Sequence, residues 1–184
     1  ATGALAANLY YAQPLIASIA AELSISPRLA GSIVSIGQVG FGIGLFFFVS
    51  LADLVENRAL ALATLALTAF GLVAAGLSRS AIPFFVASLV IGLTSTGAQI
   101  LVPFMARLAP PSVRGRVVGA VMAGLLTGVM LARPVSLFVA SAFGWRAIFI
   151  VSAVLMIVIA LALARVMPRY RPTTGKNYAE LLAS

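Results

Sequence analysis

Residues 80–106 read SAIPFFVASLVIGLTSTGAQILVPFMA, 27 consecutive residues without a charge. A helix crossing the hydrocarbon layer of a membrane needs about 20 apolar residues, within a range of roughly 17–25. The stretch decides the class of the whole chain, because its neighbours repeat the pattern. Uncharged runs cover 1–21, 29–52, 59–78, 80–106, 117–132, 134–145 and 147–164. The fifth and sixth flank a single residue, Arg133, and join into one helix with a charge inside it. The expected fold is an all-α membrane protein with six spans, at roughly 3–23, 29–50, 59–77, 83–107, 114–141 and 146–166. No run alternates polar and apolar residues with period two, as a membrane barrel would.

Composition agrees. The 184 residues are 62% apolar and 9% charged, with a mean hydropathy of +1.14. Soluble domains carry about 25% charged residues. There is no His and no Cys, which excludes disulfides, imidazole or thiolate metal sites, the Ser-His-Asp triad and cysteine catalysis. The four carboxylates, Glu22, Asp53, Glu56 and Glu180, lie outside the apolar stretches. No enzyme activity and no cofactor or metal are expected. Gly37, Gly40, Gly42 and Gly44 fall inside a span with no strand before them, so they are not a dinucleotide loop. Gly40-x3-Gly44 and Gly124-x3-Gly128 read instead as small-residue packing faces. Gly175-Lys176 is followed by Asn177 and lacks the upstream Gly of a phosphate loop, which excludes an ATP-driven pump. The first segment has no basic start and reads as a span rather than a signal peptide. The chain begins with Ala1 and no Met, so an upstream piece is expected to be missing.

The +8 net charge has a topological reading. With the N-terminus in the cytoplasm, the inner segments hold Arg58, Arg107, Arg114, Arg116, Arg165, Arg169, Arg171 and Lys176, and the outer loops hold Arg28, Arg79 and Arg146. Lys and Arg accumulate on the cytoplasmic side, so both termini are placed there. The basic residues then meet anionic lipid of the bilayer rather than nucleic acid.

The sequence also repeats. Comparing 1–83 with 87–169, an offset of 86, gives 16 identical positions without gaps. They cluster: Ala12-Gln13-x-Leu15 matches Ala98-Gln99-x-Leu101, Ser26-x-Arg28 matches Ser112-x-Arg114, and Leu45-x3-Val49-Ser50-Leu51 matches Leu131-x3-Val135-Ser136-Leu137. The domain organisation expected is one six-helix domain, 1–167, made of repeat 1 (1–83) and repeat 2 (84–167), followed by a cytoplasmic linker over 168–184. Three helices per unit is an odd number, so the second copy lies inverted in the membrane. Inverted repeats are a mark of secondary transporters, whose substrate site sits near the midplane.

At the loop after the second span, Leu51-Ala52-Asp53-Leu54-Val55-Glu56-Asn57-Arg58 resembles the signature G-x-L-A-D-R-x-G-R-[KR] of the major facilitator superfamily. Leu51, Ala52, Asp53 and Arg58 match, while Val49, Leu54, Glu56 and Asn57 depart from it. Gly144-Trp145-Arg146-x-x-Phe149 resembles the start of that family's sixth helix, and the run from Asn8 through Tyr10, Tyr11 and Gln13 to Leu15 resembles helix 1 of its bacterial drug and sugar efflux members. The resemblance covers the chain and implies the N-terminal six-helix half of a twelve-helix antiporter-like protein of the inner (plasma) membrane. It implies ion-coupled efflux of a small amphiphilic or sugar-like solute by alternating access, with Asp53 and Arg58 forming a gating latch between halves. Two family features are absent. The fourth span has no Arg, and the Gly-Pro of the fifth is replaced by Arg133-Pro134.

Several polar residues stand out as substrate contacts. Arg133 is about 12 Å of helix from Ser141 at the end of its span, too far for an easy snorkel. An arginine at the bilayer centre costs about 2.5–3.5 kcal/mol on insertion scales, and such residues mark function. Gln99 and Thr96 lie on one face of the fourth span, and the repeat gives Gln13 the place equivalent to Gln99. Tyr10 shares the Gln13 side, Asn8 and Tyr11 occupy another face of the first span, and Gln38 is a candidate in the second. The expected partners are a small-molecule substrate, the lipid bilayer, and a second six-helix half or a homodimer copy. The rival reading is a non-transporting membrane scaffold or assembly subunit.

Overall fold

The computed structural model describes residues 1–52 and 57–166. Among them every regular element is helical. Four runs are long and apolar enough to cross a membrane, Arg58–Leu77, Ala81–Pro103, Arg114–Phe143 and Trp145–Val166, with a shorter apolar helix over Ser32–Phe48. The linker 168–184 and the Asp53 loop lie outside the described residues.

Among the described residues the α-helices are α1 (Thr2–Ala7), α2 (Ile16–Glu22), α3 (Ser32–Ala52), α4 (Asn57–Leu77), α5 (Ala81–Ser95), α6 (Gly97–Leu108), α7 (Arg114–Phe143) and α8 (Trp145–Val166). Second, third, fifth and sixth sequence spans thus correspond to single helices. The first and fourth do not. The expected helix over 3–23 is two helices separated by turns at 8–12 and a 3-10 turn at Gln13–Leu15. The expected helix over 83–107 divides at Thr96. Hydropathy counts apolar residues and is blind to these interruptions, because the broken segments stay apolar.

α3 packs along α5, α4 lies against both α5 and α8, and α1 crosses α7. At the centre are Leu5, Ile19, Ile33, Leu65, Leu72, Phe84, Ile148 and Met156, all buried. The outward faces are as apolar as the core. On α8 the buried residues Ile148, Phe149, Ser152 and Met156 alternate around the helix with exposed Val151, Val154, Leu155 and Val158. A helix apolar all round suits hydrocarbon rather than water.

Two crossings bring backbones together, both at the glycines read as packing faces. A Cβ on Gly40 would stand 2.6 Å from the Leu89 carbonyl oxygen, and one on Gly44 would collide with that of Leu93. A Cβ on Gly128 would collide with the backbone of Gly3, and one on Gly3 with the Gly124 carbonyl. Where hydrophobic burial offers no drive between helices, such close contact supplies dispersion and weak Cα–H···O attraction. Gly42 and Gly124 have open space beside them. Gly128→Ala and Gly44→Ala should each lower the unfolding free energy by about 1–3 kcal/mol through overpacking. Gly42→Ala and Gly124→Ala should stay neutral or gain up to about 1 kcal/mol of helix propensity. Thermal unfolding of the four variants in detergent checks the contrast.

Candidate functional site

The break in the first span starts after Ala7, where Leu9 N–H donates to Ala6 O at 3.3 Å and Tyr10 N–H to Ala7 O at 2.9 Å, and it runs on through Pro14. Proline has no N–H, so it cannot donate to the carbonyl of Tyr10 four residues earlier. Gln13 N–H donates to that carbonyl instead, at 3.2 Å, and Leu15 N–H donates to Ala12 at 3.1 Å. The bonds shorten from i→i−4 to i→i−3, and the helix tightens into a 3-10 turn.

The fourth span breaks for another reason. Three consecutive hydroxyls turn back onto the helix: Thr94 donates to Val90 O at 2.8 Å, Ser95 to Ile91 O at 2.7 Å and Thr96 to Leu93 O at 2.8 Å. Side-chain donors that share helical carbonyls bend the helix and weaken its ladder. Gly97 follows, with a Cβ position only 2.6 Å from Thr64 Oγ1, so a larger residue there would have to displace the Thr64 side chain. After the break Gln99 N–H donates to Thr96 O at 2.9 Å. That bond and the Gln13-to-Tyr10 bond are 86 residues apart at both ends, which is the sequence offset.

One pair of candidates meets directly. Arg133, on α7, donates from Nη2 to Oε1 of Gln13 at 2.7 Å. Arg133 is exposed and Gln13 half-buried. The guanidinium therefore turns across to the first span rather than along α7 toward its end. Pro134 does not break α7.

The other face of the first span serves the core. Asn8 is buried, accepts from Ser152 Oγ at 2.6 Å and donates to Met156 Sδ at 3.5 Å, which pins it to α8. Tyr11 is buried in the core cluster. Tyr10 and Gln99 are half-buried, Thr96 is buried and Gln38 is exposed on α3. A cavity of about 20 Å³ beside Asn8, Gly37 and Ser88 has room for one water. A groove of about 390 Å³ between α3 and α5 is lined by Ile36, Val39, Phe85, Val86 and their neighbours, and no candidate residue reaches it. Asp53 lies outside the described residues. Arg58 donates to the Ala164 carbonyl near the end of α8, where a cation meets the negative end of a helix.

A polar cluster at the opposite end escaped sequence reading. Trp145 Nε1 donates to Glu22 Oε2 at 2.5 Å, Arg146 forms an ion pair with Glu22, and Arg146 Nη2 donates to Ser78 O at 2.9 Å. The Arg146 guanidinium also sits 4.3 Å over the Trp145 ring, which stacks edge-on with Phe84 and Phe149. The first, third and sixth spans are tied there. The available signal was topological: a six-span count puts 22, 78 and 146 at the same membrane face.

The family model described as Major Facilitator Superfamily matches residues 1–181. The uncharacterized transporter YgaY of Escherichia coli O157:H7 is 45% identical over 184 residues, all of this chain and 47% of its own length. "Probable transporter SCO4007" of Streptomyces coelicolor (strain ATCC BAA-471 / A3(2) / M145) is 38% identical over 99% of this chain and 43% of its own. A Bacillus subtilis (strain 168) protein named as a niacin/nicotinamide transporter, NiaP, is 28% identical over 76% of this chain and 35% of its own. The chain spans about half the length of the curated relatives it matches.

A double-mutant cycle on Gln13→Ala and Arg133→Ala, read by unfolding in detergent, should give a coupling of about 0.5–1.5 kcal/mol. Additive effects would mean the 2.7 Å bond does not form.

Proposed function

Because the chain belongs to the major facilitator superfamily, we propose that it is one six-helix half of a secondary transporter that moves a small amphiphilic or sugar-like solute outward by alternating access, coupled to an ion. The pairing of breaks ahead of Gln13 and Gln99 carries this reading. Secondary transporters build their sites from interrupted helices near the midplane, at corresponding positions of their repeats. Here each interruption falls in the first helix of its three-helix unit, at positions related by the 86-residue offset.

Packing supports the two units, 1–83 and 84–167. The first span packs against the fifth, the second against the fourth, and the third against both the sixth and the fourth. Exchanging the two units maps the first–fifth and second–fourth pairs onto each other and the third–sixth pair onto itself. The charged ends support alternation of the spans: Arg58 meets the end of α8 on one side, and Glu22, Ser78 and Arg146 meet on the other. Under the excess of Lys and Arg, the Arg58 side is cytoplasmic, as are both termini. Tyr10, Gln13, Gln38, Thr96, Gln99 and Arg133 then belong to the face that lines the path, and Asn8 and Tyr11 stand behind it as support. Asp53 and Arg58 form the gate at the cytoplasmic end, the bilayer is the inner membrane, and residues 168–184 lead toward a second six-helix half. The chain works as a transporter and not as an enzyme.

The chain has no cysteine, so introduced thiols report single sites. Cysteine at Gln13 and at Gln99 should react with a membrane-impermeant maleimide from one side of the membrane, while cysteine at buried Ser152 stays unlabelled. If neither glutamine position reacts from either side, no water-filled path reaches them and the transport reading fails.

A further inference from the structure

We propose that Arg133 and Gln13 form an anion-recognition pair, so that the solute carries a carboxylate or a similar oxyanion on an apolar body. This rests on the transport reading above and names the chemistry of its site.

Donors dominate the pair. A guanidinium presents five N–H donors and no acceptor. One of them goes to Gln13 Oε1. Having no acceptor, Arg133 fixes the orientation of the Gln13 amide, with its oxygen toward the guanidinium and its NH2 group on the far side. What the pair offers outward is the remaining guanidinium donors and the amide NH2. A planar oxyanion matches that set, taking two parallel bonds from the arginine fork. A neutral solute would satisfy some donors and leave the charge unbalanced.

The chain supplies no counter-charge among the described residues. Glu22, the one carboxylate there, is engaged with Trp145 and Arg146 at the end of the bundle. In sequence, Asp53, Glu56 and Glu180 fall in the loop after the second span and in the tail. Among the described residues Arg133 therefore meets only a neutral side-chain partner, Gln13, and a charge in the spanning region is stabilised when a counter-ion joins it. An anionic solute brings that counter-ion when it binds and removes it when it leaves, which favours the occupied site.

The surroundings set the rest of the solute. Leu126, Met130 and Leu137 share the side of α7 that carries Arg133, at helical spacing, and all three are exposed. Donors in an apolar stripe fit an amphiphile whose polar end is the anion.

The test uses the full chain in lipid nanodiscs at pH 7, with benzoate, phenylacetate and octanoate as probes beside their matched amides. At this pH the acids are ionised. The acids should raise the unfolding temperature and the amides should not. Arg133→Gln should weaken acid binding about tenfold or more. Arg133→Lys, which keeps the charge without the fork, should bind acids more weakly than the parent and better than Arg133→Gln. Equal responses to acids and amides, no response to any acid, or an acid response that survives Arg133→Gln would each overturn the proposal. Maleimide labelling at Gln13 and Gln99 separates the failures. Reactive positions with no acid preference remove the anion and leave the path, whereas unreactive positions remove both.

Discussion

A peptide group in hydrocarbon has no water to bond, so each N–H and C=O must find a partner within the protein. That constraint makes the described chain helical and sets the form of its departures from helix. Near Pro14 the ladder shortens to i→i−3 bonds, so a tighter turn replaces an open loop. At Thr94, Ser95 and Thr96 hydroxyls fold back onto carbonyls of the preceding turn. Both departures are tolerated because they are packed: Thr96 is buried, and the turn at residues 8–12 buries its own Asn8 and Tyr11.

The same constraint governs the packing. With lipid as apolar as the side chains, helices gain little by hiding Leu or Val from it. Close approach at glycines and short polar contacts take over. Gly3 against Gly124 and Gly128, and Gly37, Gly40 and Gly44 against α5, hold two crossings at backbone contact. Between α4 and α5 the Thr68 and Thr94 hydroxyls are 2.8 Å apart, and between the first span and α8 Asn8 meets Ser152. These ties leave the Gln13 side of the first span facing outward, where Arg133 reaches it.

Much of this was legible because charge and hydropathy are one-dimensional signals. The positions of Arg58, Arg79, Arg114 and Arg146 delimit the helices to within a few residues. The glycine faces were legible because GxxxG spacing dictates which side is smooth, though spacing could not show that Gly124 receives Gly3 through its carbonyl while Gly128 receives it through its missing Cβ. The breaks were hidden by chemistry that leaves hydropathy unchanged. Arg133 was visible as an anomaly, and its bond to Gln13 was not, because 120 residues of sequence separate them and only the crossing of the first span with α7 closes the gap. The role of Glu22 was missed for the same reason: its partners come from the far end of the chain.

The central claim is that the two interruptions are equivalent elements of one inverted repeat. Hydrogen–deuterium exchange of the membrane-embedded chain, resolved by peptide, tests it most directly. Short i→i−3 turns and shared carbonyls protect amides less than a continuous ladder. The account predicts that amides at 8–13 and 94–99 exchange at similar rates, both faster than the middles of α4 and α8. Protection at either segment equal to that of α4 and α8 would contradict it.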